Sequence, residues 1–386
     1  MPRFEPFAAL RYASDSFDAT SAPPYDVISP DDVAVLRRQH PHNVVHIDAP
    51  AGGDDRYDHA AAVLRTWIDA GVLIPDPSPT FSLYRMHFTD ASGAERHIVG
   101  VLGALDVNAD SGVFPHERVT PKASTDRLNL MRSTQANLSP VWGLSLASGL
   151  AQLLAEPGEL MGSMTVDGVT HEVERVTDPD RIAAIAAKVS DARVVIADGH
   201  HRYGVARRYR DEMAAQGRAS SSQELTLALI TELVDDQLSV APIHRIYRSI
   251  TADDLIATLS TSFDLSPADR LDPTIPAEMR RRGALYLLTR QGAWWLTPHE
   301  GVFDDLRPLD GLWLEHVLGS VSVDYQHGLE EVERLMASDV TVTAAVLTRP
   351  VGVEEIRRTA LEGVLMPPKS TFVVPKPRTG AVIRLL

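Results

Sequence analysis

The segment VVIADGHHRYGVARRY, Val194 to Tyr209, restricts the fold more than any other stretch. An apolar β-branched run ends in a carboxylate at Asp198, Gly199 relieves a tight turn, and a helix starts at once. That order predicts a strand feeding directly into a helix, the joint of an α/β unit. A helix start carries N–H groups without intrahelical partners. Together with the dipole and the side chains of His201 and Arg202, those groups suit a phosphate or another anion. Asp198, at the strand end, is a candidate proton acceptor or ligand of a magnesium-bound water.

The chain has 386 residues, 44% hydrophobic and 23% charged, enough for two or three domains with real cores. It contains no cysteine, which excludes disulfides, thiolate metal sites and a cysteine nucleophile. Its formal charge of −15 disfavours nucleic acid as a partner. No stretch is apolar for the length that spans a bilayer and the start lacks a signal-peptide pattern, so a cytoplasmic protein without a membrane partner is expected.

Elsewhere the pattern is mixed α/β. Ser29, Pro30, Asp31 and Asp32 read as the cap and first turn of a helix. A second helix spans about Asp55 to Ala70, with Tyr57, Ala61, Leu64 and Ile68 on one face. Alternation in TFSLYRMHF and RHIVGVLGALDV predicts a hairpin, and Asp178 with Pro179 opens another helix. LTLALITEL and APIHRIYRSI read as strands. Past Thr251, helices at ADDLIATLS, GLWLEHVLG and GLEEVERLM alternate with further strands. The expected division is a core with insertions over 1–249 and a C-terminal α/β region over 250–386.

Three more groups carry chemistry. His116, Glu117, Arg118, Lys122, Asp126, Arg127, Asn129, Arg132 and Asn137 fall in one polar segment without strong periodicity, read as a ligand-binding loop with Glu117 as a candidate base. Pro23-Pro24-Tyr25-Asp26 is a rigid turn presenting Asp26. In MPPKSTFVVPKPRTG, Lys369, Ser370 and Thr371 are candidate phosphate contacts, whereas Lys376 and Arg378 read as solvent contacts. No P-loop pattern occurs. His244, in Pro242-Ile243-His244-Arg245, reads as a strand-end histidine with satisfied bonds.

PPYDVIS, HERVTPKASTDRLNL, NLSP, ADGHHRY, IHR and MPPKSTFVVPK together resemble the domain-of-unknown-function family 1015, over almost the whole chain. ADGHHRY alone also resembles the signature of the ParB/sulfiredoxin superfamily. This second resemblance implies a ParB/sulfiredoxin-like nucleotide-binding core. The match implies phosphate contacts from Gly199, His201 and Arg202, with Asp198 and His200 adjacent; His200 joins them as a candidate cofactor contact, and the expected cofactors are ATP or ADP with Mg2+ at Asp198. The superfamily includes kinases of free serine. Sulfinic-acid reduction is excluded by the missing cysteine.

The leading expectation is a kinase that moves a phosphoryl group to a metabolite hydroxyl, free serine being one candidate. Glu117, Asp198 and Asp26 are its candidate catalytic carboxylates. His116, Arg118, Lys122, Arg127 and Asn137 are its candidate substrate contacts. One alternative is a nucleotide-binding switch without a metabolite substrate. A second is a metal-dependent hydrolase using His116, Glu117, Asp198, His200 and His201, although no HExxH-like pair is present. A homo-oligomer is compatible with all three.

Overall fold

Alternating apolar residues in two adjacent runs give the first ladder, the antiparallel pair Phe81–Thr89 and Glu95–Asp106. It forms the middle of a nine-stranded sheet. The order across that sheet is Val113–Pro115, Val194–Asp198, Val141–Ser145, Leu225–Glu232, Glu95–Asp106, Phe81–Thr89, Val169–Val176 and Glu159–Val166, with Phe4–Glu5 also on Glu95–Asp106. Pairing is parallel between Val194–Asp198 and Val113–Pro115, and between Leu225–Glu232 and Val141–Ser145. The computed structural model describes residues 1–13, 17–90, 93–115 and 124–386.

Every residue of Leu225–Glu232 is buried, which is why this strand reads as a continuous apolar run. Phe81, Val101, Leu105, Val194, Ile196 and Ile230 share one core with Ile185 and Val189 of the helix Pro179–Ser190. Phe4 and Phe81 stack there with ring centroids 5.1 Å apart. A Cβ at Gly103 would lie 2.4 Å from the Phe4 ring, so only glycine lets that ring lie on the strand. The two predicted caps are present. Ser29 and Asp32 form a capping box, and Asp178 accepts the Arg181 N–H at 2.7 Å.

The polar segment expected as a loop contains the helix Ser124–Thr134. Its apolar side chains serve two cores. Leu128 packs with Val205, Tyr209 and Met213, while Leu130 packs with Leu64 and Trp67. Burial on two sides leaves no single stripe, hence the missing helical period in the sequence.

The chain divides into two units, Met1–Ser239 with Pro375–Leu386, and Val240–Val374. The expected boundary at 249/250 is therefore displaced at both ends. His244–Tyr247 is an inner strand of the second unit's own sheet, paired with Ala344–Leu347 and Val323–Gln326. The last twelve residues return to the first unit, where Thr379 and Ile383 exchange backbone bonds with Ala22 and Leu10, and Arg384 pairs with Asn137. Local composition carries no trace of such a return.

The second unit is a six-stranded antiparallel sheet in the order Phe263–Pro267, Ala293–Pro298, Leu285–Thr289, Ala344–Leu347, His244–Tyr247 and Val323–Gln326. Two apolar clusters, around Leu287 and Tyr286, hold its helices. Ile275–Arg282 and Val353–Glu362 are helices that the sequence reading passed over. The first buries only Ile275 and Met279 and carries three arginines in its last turn, too narrow a stripe to stand out.

Candidate functional site

Asp198 ends its strand beside a register shift between Ile196 and Asp198. Gly199 follows with φ of 83°, and the helix His200–Ala215 begins. This is the predicted strand, turn and helix. Arg202, one turn into the helix and 8% exposed, folds back over Gly199. Its Nη2 donates to Asp198 Oδ2 at 2.5 Å and its Nη1 to the Pro140 carbonyl. A Cβ at Gly199 would lie 2.9 Å from Arg202 Nε, so the residue must be glycine for two reasons, the positive φ and the guanidinium. Gly199→Ala is expected to destabilise the protein by about 2 kcal/mol, the cost of a left-handed alanine plus a displaced arginine, read by chemical denaturation.

The other oxygen of Asp198 accepts from Lys376 Nζ, whose side chain is only 10% exposed. Burial alone would raise the Asp198 pKa. Lys376 and then Arg202 overcome it and hold the carboxyl well below the usual carboxylate range. Lys376 is thus no solvent contact, and neither is Arg378, which is buried and donates from its backbone N–H to the Tyr84 hydroxyl at 2.8 Å.

The PPYD turn reaches the same place. Asp26 Oδ2 stands 3.9 Å from Arg202 Nη2, with the Asp26 side chain 40% exposed. Tyr25 lies under Arg127, whose guanidinium carbon is 4.2 Å from the ring centroid. Burial pushes the Tyr25 phenol up to about 12. Arg127 donates to Asp48 Oδ1 at 3.2 Å and to Asp126 Oδ2 at 2.6 Å. The Asp48 carboxyl is fully buried, and that burial raises its pKa against the opposing pull of Arg127 and Arg202. Tyr25, Asp48, Arg127, Ser139 and Arg202 line a narrow cleft over an apolar floor of Leu130, Met131, Leu138 and Val205.

Asp26, Arg127 and the i,i+4 pair Asp198 and Arg202, from three distant segments of the sequence, are therefore brought together, with His200 and His201 half-buried at the start of the helix. Asn137 also lines the cleft. Its Oδ1 is bonded to the Leu227 N–H at 3.0 Å and to Arg384, which fixes the side chain in the cleft wall. His116, Glu117, Arg118 and Lys122 lie outside the described residues. Asp198, expected to hold a magnesium-bound water or to accept a proton, has each of its two oxygens bonded to a cation, Arg202 and Lys376. Among the described residues, which do not include His116 and Glu117, no group of three or more His, Asp or Glu is placed to hold a metal ion. No described helix is long and apolar enough to cross a membrane.

Sequence reasoning missed Lys376. Its partner is 178 residues away, and VVPKP carries no local mark of a buried cation. The nearest signal is the placement of a lone lysine between prolines directly after an apolar strand.

Several solved structures are distantly similar. A free serine kinase mutant in complex with ADP matches at 13% identity and a TM-score of 0.39, covering 71% of this chain and 87% of that one. A conserved hypothetical protein from Pyrococcus furiosus matches at 12% identity and 0.38, over 71% and 90%. SbnI with a C-terminal truncation, from Staphylococcus aureus, matches at 12% identity and 0.37, over 72% and 85%. At these values no residue role passes from those proteins to this one. No curated protein matches the chain. The family described as "Protein of unknown function (DUF1015)" matches residues 4–312. With the motifs of that family spread through a mixed α/β fold and gathered in part around Arg202, the chain belongs to the DUF1015 family.

Proposed function

We propose that the protein is a phosphotransferase that moves a phosphoryl group from ATP or ADP to a hydroxyl of a small metabolite, with free serine among the candidate acceptors. One observation carries this reading. Asp26 and Asp198, from two separate motifs, converge on one buried arginine at the mouth of a cleft beside a helix start. Phosphoryl transfer demands positioning and charge control more than covalent chemistry by the protein. In this reading the start of helix His200–Ala215, with His200 and His201, takes the phosphates. Arg202 keeps its place against Asp198 and faces the transferred group. Asp26, the open carboxylate, takes the proton of the acceptor hydroxyl as the new P–O bond forms and the bridging P–O bond to the nucleotide breaks. Arg127 and Asp48 form the polar wall that orients the acceptor.

The test is incubation of purified protein with magnesium, ATP or ADP, and a panel of hydroxy amino acids. Nucleotide consumption that depends on one acceptor, with a phosphorylated product, is expected. Hydrolysis indifferent to the acceptor would favour a nucleotide switch. Absence of both consumption and thermal shift with any nucleotide would remove the reading altogether.

A further inference from the structure

Two motifs that the first unit's cleft does not use, Pro242–Arg245 and Met366–Thr371, meet inside the second unit. Arg245 is 5% exposed. Its Nη1 donates to the carbonyls of Ile243 at 2.7 Å and Lys369 at 3.2 Å, and its guanidinium carbon lies 4.8 Å from the Tyr325 ring centroid. Among the described residues it has no ion-pair partner. Glu315 and Asp310 act on it only from a distance, and Asp310 is committed to Arg349, at 2.6 Å to its N–H and 2.5 Å to its Nη2.

A buried guanidinium without a counter-ion is costly unless neutral acceptors saturate it. Arg384, 4% exposed, shows a buried guanidinium held by neutral acceptors at both terminal nitrogens. Its Nη1 donates to Asn137 and Leu225 and its Nη2 to Ser222 at 2.7 Å. Arg245 differs, since its Nε and Nη2 make no hydrogen bond among the described residues, and neither is sealed from solvent.

The unsatisfied edge faces a second positive feature. A Cβ at Gly311 would lie 2.5 Å from Arg245 Nη2, so the guanidinium rests on the first turn of the helix Asp310–Leu318, whose start has no side-chain cap. The first turn has a carboxylate of its own, Asp310, but both of its oxygens are bonded to Arg349, so a further anion is favoured between Arg245 and the helix end. Lys369, whose carbonyl holds Arg245, is exposed and takes a left-handed φ of 57° directly after Pro368. Glycine would make that turn without strain, yet a lysine occupies it.

We propose that this corner of the second unit is an oxyanion-binding site. Arg245 Nε and Nη2, the first turn of helix Asp310–Leu318 and the Lys369 ammonium together take the phosphate or carboxylate group of a small ligand.

The test titrates the full-length protein with inorganic phosphate and, separately, acetate, with chloride at matched ionic strength as control, followed by calorimetry and thermal unfolding. Saturable binding of phosphate or acetate beyond the chloride effect is expected, and which of them binds assigns the ligand class. Lys369→Gly should weaken that binding about tenfold while raising the melting temperature of the anion-free protein through relief of the turn. Arg245→Met should abolish binding, and if that variant fails to fold, Lys369→Gly decides. Saturable binding of neither anion, or unchanged affinity in Lys369→Gly, overturns the proposal.

Discussion

Asp198→Ala is expected to cost the folded protein about 3–5 kcal/mol, the usual penalty for removing one partner of a buried charge network. The carboxylate is the acceptor shared by Lys376 and Arg202, whose side chains are 10% and 8% exposed. Without it two cations face each other across a dry junction. Asp198→Asn separates charge from shape, since the amide retains an acceptor but no negative charge. The pH dependence has a definite sign. The Asp198 pKa is depressed in the folded state, so its contribution is complete above the unfolded carboxyl value of about 4 and declines as the pH falls below it. Asp48 works the opposite way, because burial raises its folded pKa and its cost is relieved on acidification. The measurement is therefore the difference between wild type and Asp198→Asn in denaturant unfolding. That difference should be constant near neutrality and shrink below about pH 4. A pH-independent gap, or a loss under about 1 kcal/mol in Asp198→Ala, would mean that the ion pairs contribute little.

What the sequence made legible is local. The turn at Gly199, the capping box at Ser29 and the Asp178 cap each depend on residues within four positions of one another, and each is present. The hairpin was legible for the same reason, since period-two alternation records which face is buried. Contacts that close the site are not local. Asp26 reaches Arg202 from the far side of the first unit's chain, and Lys376 arrives after the whole second unit has intervened. Lys376 and Arg245 carry no pattern of their own. Whether a cation is buried is decided by the strand order, which composition does not encode. The helix Ser124–Thr134 was obscured by its own packing, with Leu128 and Leu130 feeding different cores.

Asp26→Asn should leave the fold almost intact and remove most of the chemistry. Its carboxylate is 40% exposed and 3.9 Å from Arg202, a distance at which an exposed ion pair contributes about 0–1 kcal/mol. The stability consequence is thus far smaller than at Asp198, although both carboxylates face one arginine. A general base contributes about 10²- to 10⁴-fold to rate. Asp26→Asn should therefore lower the kcat of acceptor-dependent phosphoryl transfer by that factor. The nucleotide-induced thermal shift and the KM for nucleotide should stay close to wild type, because the proposed function gives the phosphates to the start of helix His200–Ala215 and not to Asp26. The pairing of these readouts separates the roles. A variant that loses nucleotide affinity as well would make Asp26 part of the binding wall. One that keeps full kcat would leave the acceptor hydroxyl to lose its proton elsewhere, with Glu117 the next carboxylate to substitute.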